Sequence, residues 1–116
     1  SWLHLFKNLS MDIFIKLMDN CAVMVGNSSS AIREGAIVGV PAVNIGTRQA
    51  GRDRGCNVID VPYDSGTILN AVRSHLDHGK FEMDPLYGDG YAGKRIVKIL
   101  EDIDLKDVPI QKMIRI

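Results

Sequence analysis

The chain has no excess of charge of either sign: Lys plus Arg and Asp plus Glu each number 14. That balance removes the long-range field that would recruit nucleic acid or an anionic membrane, so neither is an expected partner. Any ionic recognition must come from a local cluster. Cysteine is also scarce. Cys21 and Cys56 stand alone, with no C-x-x-C and no metal-type spacing, which argues against a disulfide framework and a zinc site. Free thiols suit a reducing compartment, and the expected location is cytoplasmic. No apolar run reaches the ~18 residues of a membrane span. The opening SWLHLFKNLS lacks the basic stretch and small-residue cleavage site of a signal peptide. It begins on serine and runs straight into apolar residues, which reads as a piece of something longer. The histidines His4, His75 and His78 show no metal pattern, and the last two are expected to be exposed on a helix. No Ser-His-Asp or paired-carboxylate arrangement stands out.

What is present suffices for one modest core: 46% of 116 residues are hydrophobic. Residues 2–6 alternate weakly and read as a strand. Ser10 is a candidate N-cap for a helix over 10–20, with Asp12 favourable in its first turn and Ile13, Phe14, Leu17 and Met18 at helical spacing. CAVMVG (21–26) is a continuous apolar run of the kind found in strands buried on both faces. A helix follows NSSS and stops at Gly39 and Pro41. PAVNIG (41–46) and VIDV (58–61) read as strands separated by a loop over 47–57. Residues 64–79 form a helix with Ile68, Leu69, Val72 and Leu76 on one stripe, and 91–104 form the last helix after a loop. Strands alternating with helices predict an α/β fold: a Rossmann-like parallel sheet with helices on both faces. In such sheets ligands sit beyond the carboxyl ends of the strands, and residues 26–34 and 46–54 leave two such ends.

The first of these segments, GNSSSAIREG, combines a glycine with serine hydroxyls beside a helix start, where free N–H groups and the macrodipole attract anions. A helix cap without ligand explains the same residues. Asn27 and Ser30 are secondary candidates there. Glu34 does not form a capping box, since the residue three before it is Ala31. It is therefore either a solvated side chain or a carboxylate accepting hydrogen bonds from a ribose diol. Arg33 reads as a surface residue. The second segment, GTRQAGRDRG, places Arg48, Arg52 and Arg54 within seven positions. Guanidinium groups suit bidentate phosphate recognition. Arg48 lies nearest the strand end; Arg52 and Arg54 are as well explained by a solvated loop. Asp89 in YGDG suits a turn or the start of the last helix.

Taken in order, GNSSSAIREG, GVPAVNIGTRQAGR and YGDGYAGKRIVKIL resemble the C-terminal domain of UDP-N-acetylglucosamine 2-epimerases, over roughly residues 8–105. GTRQAGR is more similar to the hydrolysing branch, which makes N-acetylmannosamine for sialic acid. The resemblance implies a GT-B-like fold whose two Rossmann-like domains hold a UDP-sugar between them. It makes this chain an incomplete second domain: 1–104 as a partial UDP-binding unit and 105–116 as a C-terminal tail. Family roles fall on Ser28 and Ser29 for the diphosphate, Glu34 for the ribose hydroxyls and Arg48 for the UDP. The implied reaction is anti elimination of UDP across C1–C2 to a glycal, then addition of water with inversion at C2. It needs no cofactor. The family's acid and base carboxylates lie in the first domain, so no catalytic residue is expected in this chain. The fragment is expected to bind UDP weakly or not at all, and not to turn over. The implied partners are UDP or a UDP-sugar and the absent N-terminal domain, with homo-oligomerisation left open. The alternatives are a non-hydrolysing epimerase, the donor-binding domain of a GT-B glycosyltransferase, and a non-catalytic α/β module. The last would need an early acidic cluster that the sequence lacks.

Overall fold

The computed structural model describes residues 1–104 and Lys106; the rest of the expected tail over 105–116 lies outside the described residues. The first helix, α1, spans Met11–Asn20, with Ser10 in an extended conformation at its N-cap. Hydrogen bonds from Ser10 and the Ile13 amide hold the Asp12 carboxyl below its ordinary pKa. The helix buries Met18 and packs against α2 (Arg33–Val38). Ile13 and Leu17, expected on its inner stripe, are instead exposed. Three strands follow the order of the chain: β1 (Met24–Gly26), β2 (Ala42–Ile45) and β3 (Val58–Val61). They form one parallel sheet in that order, with Val25 opposite Val43 and Val43 opposite Ile59.

Two expected strands need correction. Residues 2–6 form no strand, and Trp2 and Leu5 are 91% and 86% exposed. Alternation alone cannot hold a strand that has no partner to complete its ladder. The run 21–26 forms a strand only over its last three residues, and Val25 is 51% exposed. Among the described residues β1 pairs with β2 alone, so it is an edge strand and is not enclosed on both faces.

The enclosed strand is β2. Helix α3 (Ser65–His78) starts at Asp64, whose carboxylate accepts the amide and hydroxyl of Thr67, both at 2.7 Å. It lays Ile68, Ala71 and Val72 on Val43, Ile45, Ile59 and Val61. Ala42 and Asn44, which alternate to the opposite face, are buried as well. The inner stripe of α3 continues through His75, where the sequence reading had placed Leu76. His75 was expected to be exposed and is 2% exposed. Its Nε2–H donates to the Ala42 carbonyl at 3.1 Å, and its ring meets Phe81 edge-on at 5.5 Å. Burial pushes its pKa below 6.5, so the ring is neutral. Hydropathy hid it, because an imidazole with its one donor satisfied is a tolerable core group. His78 is exposed as expected, and its ring stacks on Phe81 at 3.9 Å.

Helix α2 ends at Gly39, whose φ of 75° only glycine adopts freely. The Gly39 carbonyl accepts the Phe81 amide and the Ala36 carbonyl accepts the Asp84 amide, so residues 81–84 strap the end of α2. The strap leads to a short 3-10 turn at Pro85–Tyr87 and then to α4 (Ala92–Asp102). Asp89 serves the approach to α4: it accepts the Tyr91 amide and pairs with Arg95, which together hold its carboxyl at about 2. Every residue of α4 is exposed.

Candidate nucleotide site

The serine loop leaves β1 at Gly26. Ser28 is extended, and its Oγ accepts the Ser30 amide at 3.3 Å and lies 3.3 Å from Ser30 Oγ. Ser29 begins a single 3-10 turn, Ser29–Ala31, and only then does α2 begin. The serines were read as capping an α-helix directly. They stand one 3-10 turn ahead of it, and Ile32 occupies the α2 N-cap without a side-chain bond. Asn57 ties this turn to the sheet. Its buried Nδ2 donates to the carbonyls of Ala31 at 3.3 Å and Val40 at 2.9 Å. Gly35 faces the same point. A Cβ there would lie 3.3 Å from the Ser30 carbonyl and 3.4 Å from Asn57 Nδ2.

The arginine loop leaves β2 at Gly46 and is drawn against the serine loop. Asn27 is the meeting point. Arg48 Nη1 donates to its Oδ1 at 3.2 Å, and Gln49 Nε2 donates to its backbone carbonyl at 2.9 Å. Arg48 is exposed, whereas Gln49 is 4% exposed. The other two arginines behave differently from each other. Arg52 is exposed and lends only its backbone, giving its amide to the Gln49 carbonyl and accepting Arg54 Nη1. Arg54 turns inward. Its Nη2 donates to the Gln49 carbonyl at 2.8 Å, and its Nε lies 2.6 Å from Asp60 Oδ2 as an ion pair without hydrogen-bond alignment. Asp60 in turn accepts Asn44 Nδ2 at 2.6 Å. Arg54 is therefore committed to the protein and withdrawn from any ligand.

Glu34 stands in the first turn of α2, half-buried. It lines a shallow pocket of about 90 Å³ with Arg33, Ile37 and Tyr87. Tyr87 reaches this place because its hydroxyl donates to the Asp53 carbonyl at 2.6 Å, which brings the arginine loop, the 3-10 turn and α2 together. Arg33, read from sequence as a surface residue, is exposed but shares this pocket. The structure thus joins Asn27 to Arg48 and Ser28 to Ser30 directly, and sets Glu34 in a pocket that includes none of the serines. Sequence reasoning missed Gln49, Asn57 and Tyr87. Gln49 sat inside a motif already singled out, but its burial had no signal in the pattern. Cys21 and Cys56 are exposed free thiols, and among the described residues no cluster of three or more His, Cys, Asp or Glu is placed to hold a metal ion.

The family model described as UDP-N-acetylglucosamine 2-epimerase matches residues 1–101. A UDP-N-acetylglucosamine 2-epimerase of Neisseria meningitidis serogroup B is 32% identical over 110 residues, covering 92% of this chain and 29% of that protein. A UDP-N,N'-diacetylbacillosamine 2-epimerase (hydrolyzing) of Legionella pneumophila is 38% identical over 108 residues, covering 93% of this chain and 29% of that protein. A GDP/UDP-N,N'-diacetylbacillosamine 2-epimerase (hydrolyzing) of Campylobacter jejuni is 46% identical over 56 residues, 48% of this chain and 15% of that protein. The chain therefore spans 29% of the length of the first two relatives.

Proposed function

Because the chain belongs to the UDP-N-acetylglucosamine 2-epimerase family, we propose that it forms the nucleotide-holding wall of a UDP-sugar 2-epimerase of the hydrolysing kind. The observation that carries this reading is the clasp on Asn27, which sets the serine loop and the Arg48 loop side by side at the carboxyl edge of a parallel sheet. Ser28 and Ser29 hold the diphosphate with their hydroxyls and adjoining amides, and Ser30 braces Ser28. Arg48 brings the positive charge, aimed by Asn27. The Glu34 carboxylate accepts the ribose hydroxyls. Arg52 stands at the rim and adds charge without a fixed contact. Residues 1–104 are the UDP-binding unit.

The chemistry that follows belongs to a protein that also carries a second domain. A base there removes the proton at C2 while the C1–O bond breaks and UDP leaves, giving a glycal. Water then adds across that double bond, hydroxyl to C1 and hydrogen to the opposite face of C2. The products are N-acetylmannosamine and UDP. In this scheme the present residues bind and stabilise the leaving diphosphate and transfer no proton, so the chain alone is inactive. Support for the hydrolysing kind comes from the GTRQAGR stretch and from the names of the Legionella and Campylobacter relatives. The test uses a full-length protein carrying these residues, given UDP-N-acetylglucosamine in heavy-oxygen water. Free N-acetylmannosamine labelled at C1 is the expected product. Accumulation of UDP-N-acetylmannosamine instead overturns the hydrolysing assignment, and turnover by the 116-residue chain alone overturns the division of labour.

A further inference from the structure

We propose that Gln49 is a positioning residue, which fixes Arg48 against the serine loop without itself touching the nucleotide. This rests on the reading that Arg48 and the serines hold UDP. A continuous run of polar contacts leads from the middle of the sheet to that loop. Asn44, 1% exposed on the central strand, donates to Asp60, and Asp60 pairs with Arg54. Arg54 donates to the Gln49 carbonyl, and the Gln49 side chain donates to the Asn27 carbonyl. Gln49 is 4% exposed, and its Nε2 donor is committed to Asn27 inside the protein, while its Oε1 is buried without a hydrogen-bond partner. Its neighbour Arg48 is exposed and makes the parallel contact to the Asn27 side chain. The same residue, Asn27, is thus gripped at its backbone by the buried amide and at its side chain by the exposed guanidinium. A loop carrying a long, exposed arginine otherwise loses rotamer freedom on binding, and fixing the loop beforehand reduces that cost. Charge is sorted along the way. Asp60 neutralises Arg54, which leaves Arg48 as the loop guanidinium that meets the serine loop.

The test is a double-mutant cycle in a full-length protein carrying this chain, read by calorimetric titration with UDP and by melting temperature. Gln49→Met keeps the volume and removes the donor. With Arg48 present it is expected to weaken UDP about tenfold, and in an Arg48→Ala background less than about twofold, because its effect passes through Arg48. Equal losses in both backgrounds, as a direct contact or a general loss of folded protein would give, overturn the proposal. So does an unchanged affinity in the Arg48 background. Arg54→Lys, which keeps a charge for Asp60 but loses the planar fork facing the Gln49 carbonyl, is expected to show the same coupling if Gln49→Met does not fold. If Arg48→Ala alone binds UDP as tightly as the unaltered protein, the nucleotide reading fails rather than the role of Gln49.

Discussion

At the scale of single residues, side chains divide into those proposed to meet a ligand and those turned inward to hold the fold. Glu34 is in the first group. Replacing it with alanine removes a carboxylate that would accept charge-assisted hydrogen bonds, worth about 1.5–3 kcal/mol. The expected outcome is at least tenfold weaker UDP binding in the full-length protein, with little change for inorganic pyrophosphate, which has no ribose. Equal losses for both ligands, measured by calorimetric titration, would move Glu34 out of the ribose role. His75 is in the second group. Its folded pKa is depressed by burial, and the charge of His78 adds to the penalty. Above its unfolded value of 6.5 both states hold the ring neutral, and the stability is intact. As pH falls below that value the unfolded chain takes up the proton first, so stability declines until the folded ring also titrates. The melting temperature is therefore expected to fall as pH drops through 6.5, and to fall less in His75→Gln, which cannot titrate. An equal decline in both would place the acid sensitivity elsewhere.

At the scale of elements, the 3-10 turn that carries Ser29 depends on Asn57. Asn57→Ala strips the donor from two carbonyls, those of Ala31 and Val40, at a buried position. The expected cost is about 1–3 kcal/mol in denaturant unfolding, together with weaker UDP binding; an unfolding midpoint that does not move would remove Asn57 as the tie. The sequence showed this part of the fold unevenly, for physical reasons. Helices α1 and α3 were legible in extent from their helical spacing, although Ile13, Leu17 and Leu76 of the expected stripes are exposed, and strands β2 and β3 were legible as short apolar runs. The strand expected at 2–6 and the full length of 21–26 were not, because a strand exists only through its neighbours and an alternating pattern carries no record of a partner. Ser28, Ser29 and Arg48 were legible as chemistry-bearing groups on loops leaving strand ends. Gln49 and Asn57 were not: a polar side chain gives no sign in its own sequence that a carbonyl remote in the chain will bury it. Arg48 stood out by its place nearest the strand end, whereas Arg52 and Arg54 looked alike; the ion pair with Asp60 on β3 and the bond to the Gln49 carbonyl set Arg54 apart.

At the scale of the whole molecule, a closed sheet-and-helix unit carries an uncovered extension. Ile96, Val97, Ile99 and Leu100 on α4 are each more than half exposed, as are Trp2, Leu3, Leu5 and Phe6 near the start of the chain. Apolar surface of this extent drives association. The 116-residue chain is expected to self-associate as its concentration rises in sedimentation velocity, and Ile96→Glu with Leu100→Glu to reduce that association without changing the melting temperature. A monomeric parent at all concentrations would contradict this. The proposed nucleotide seat lies where the loops after β1 and β2 meet on Asn27. Its most direct measurement is a titration of UDP into the isotope-labelled 116-residue chain, followed residue by residue through its amide resonances. One wall of a cleft predicts weak, millimolar binding, with the shifts gathered at 27–34 and 46–49. Shifts gathered on α4 or beside β3 would contradict the account.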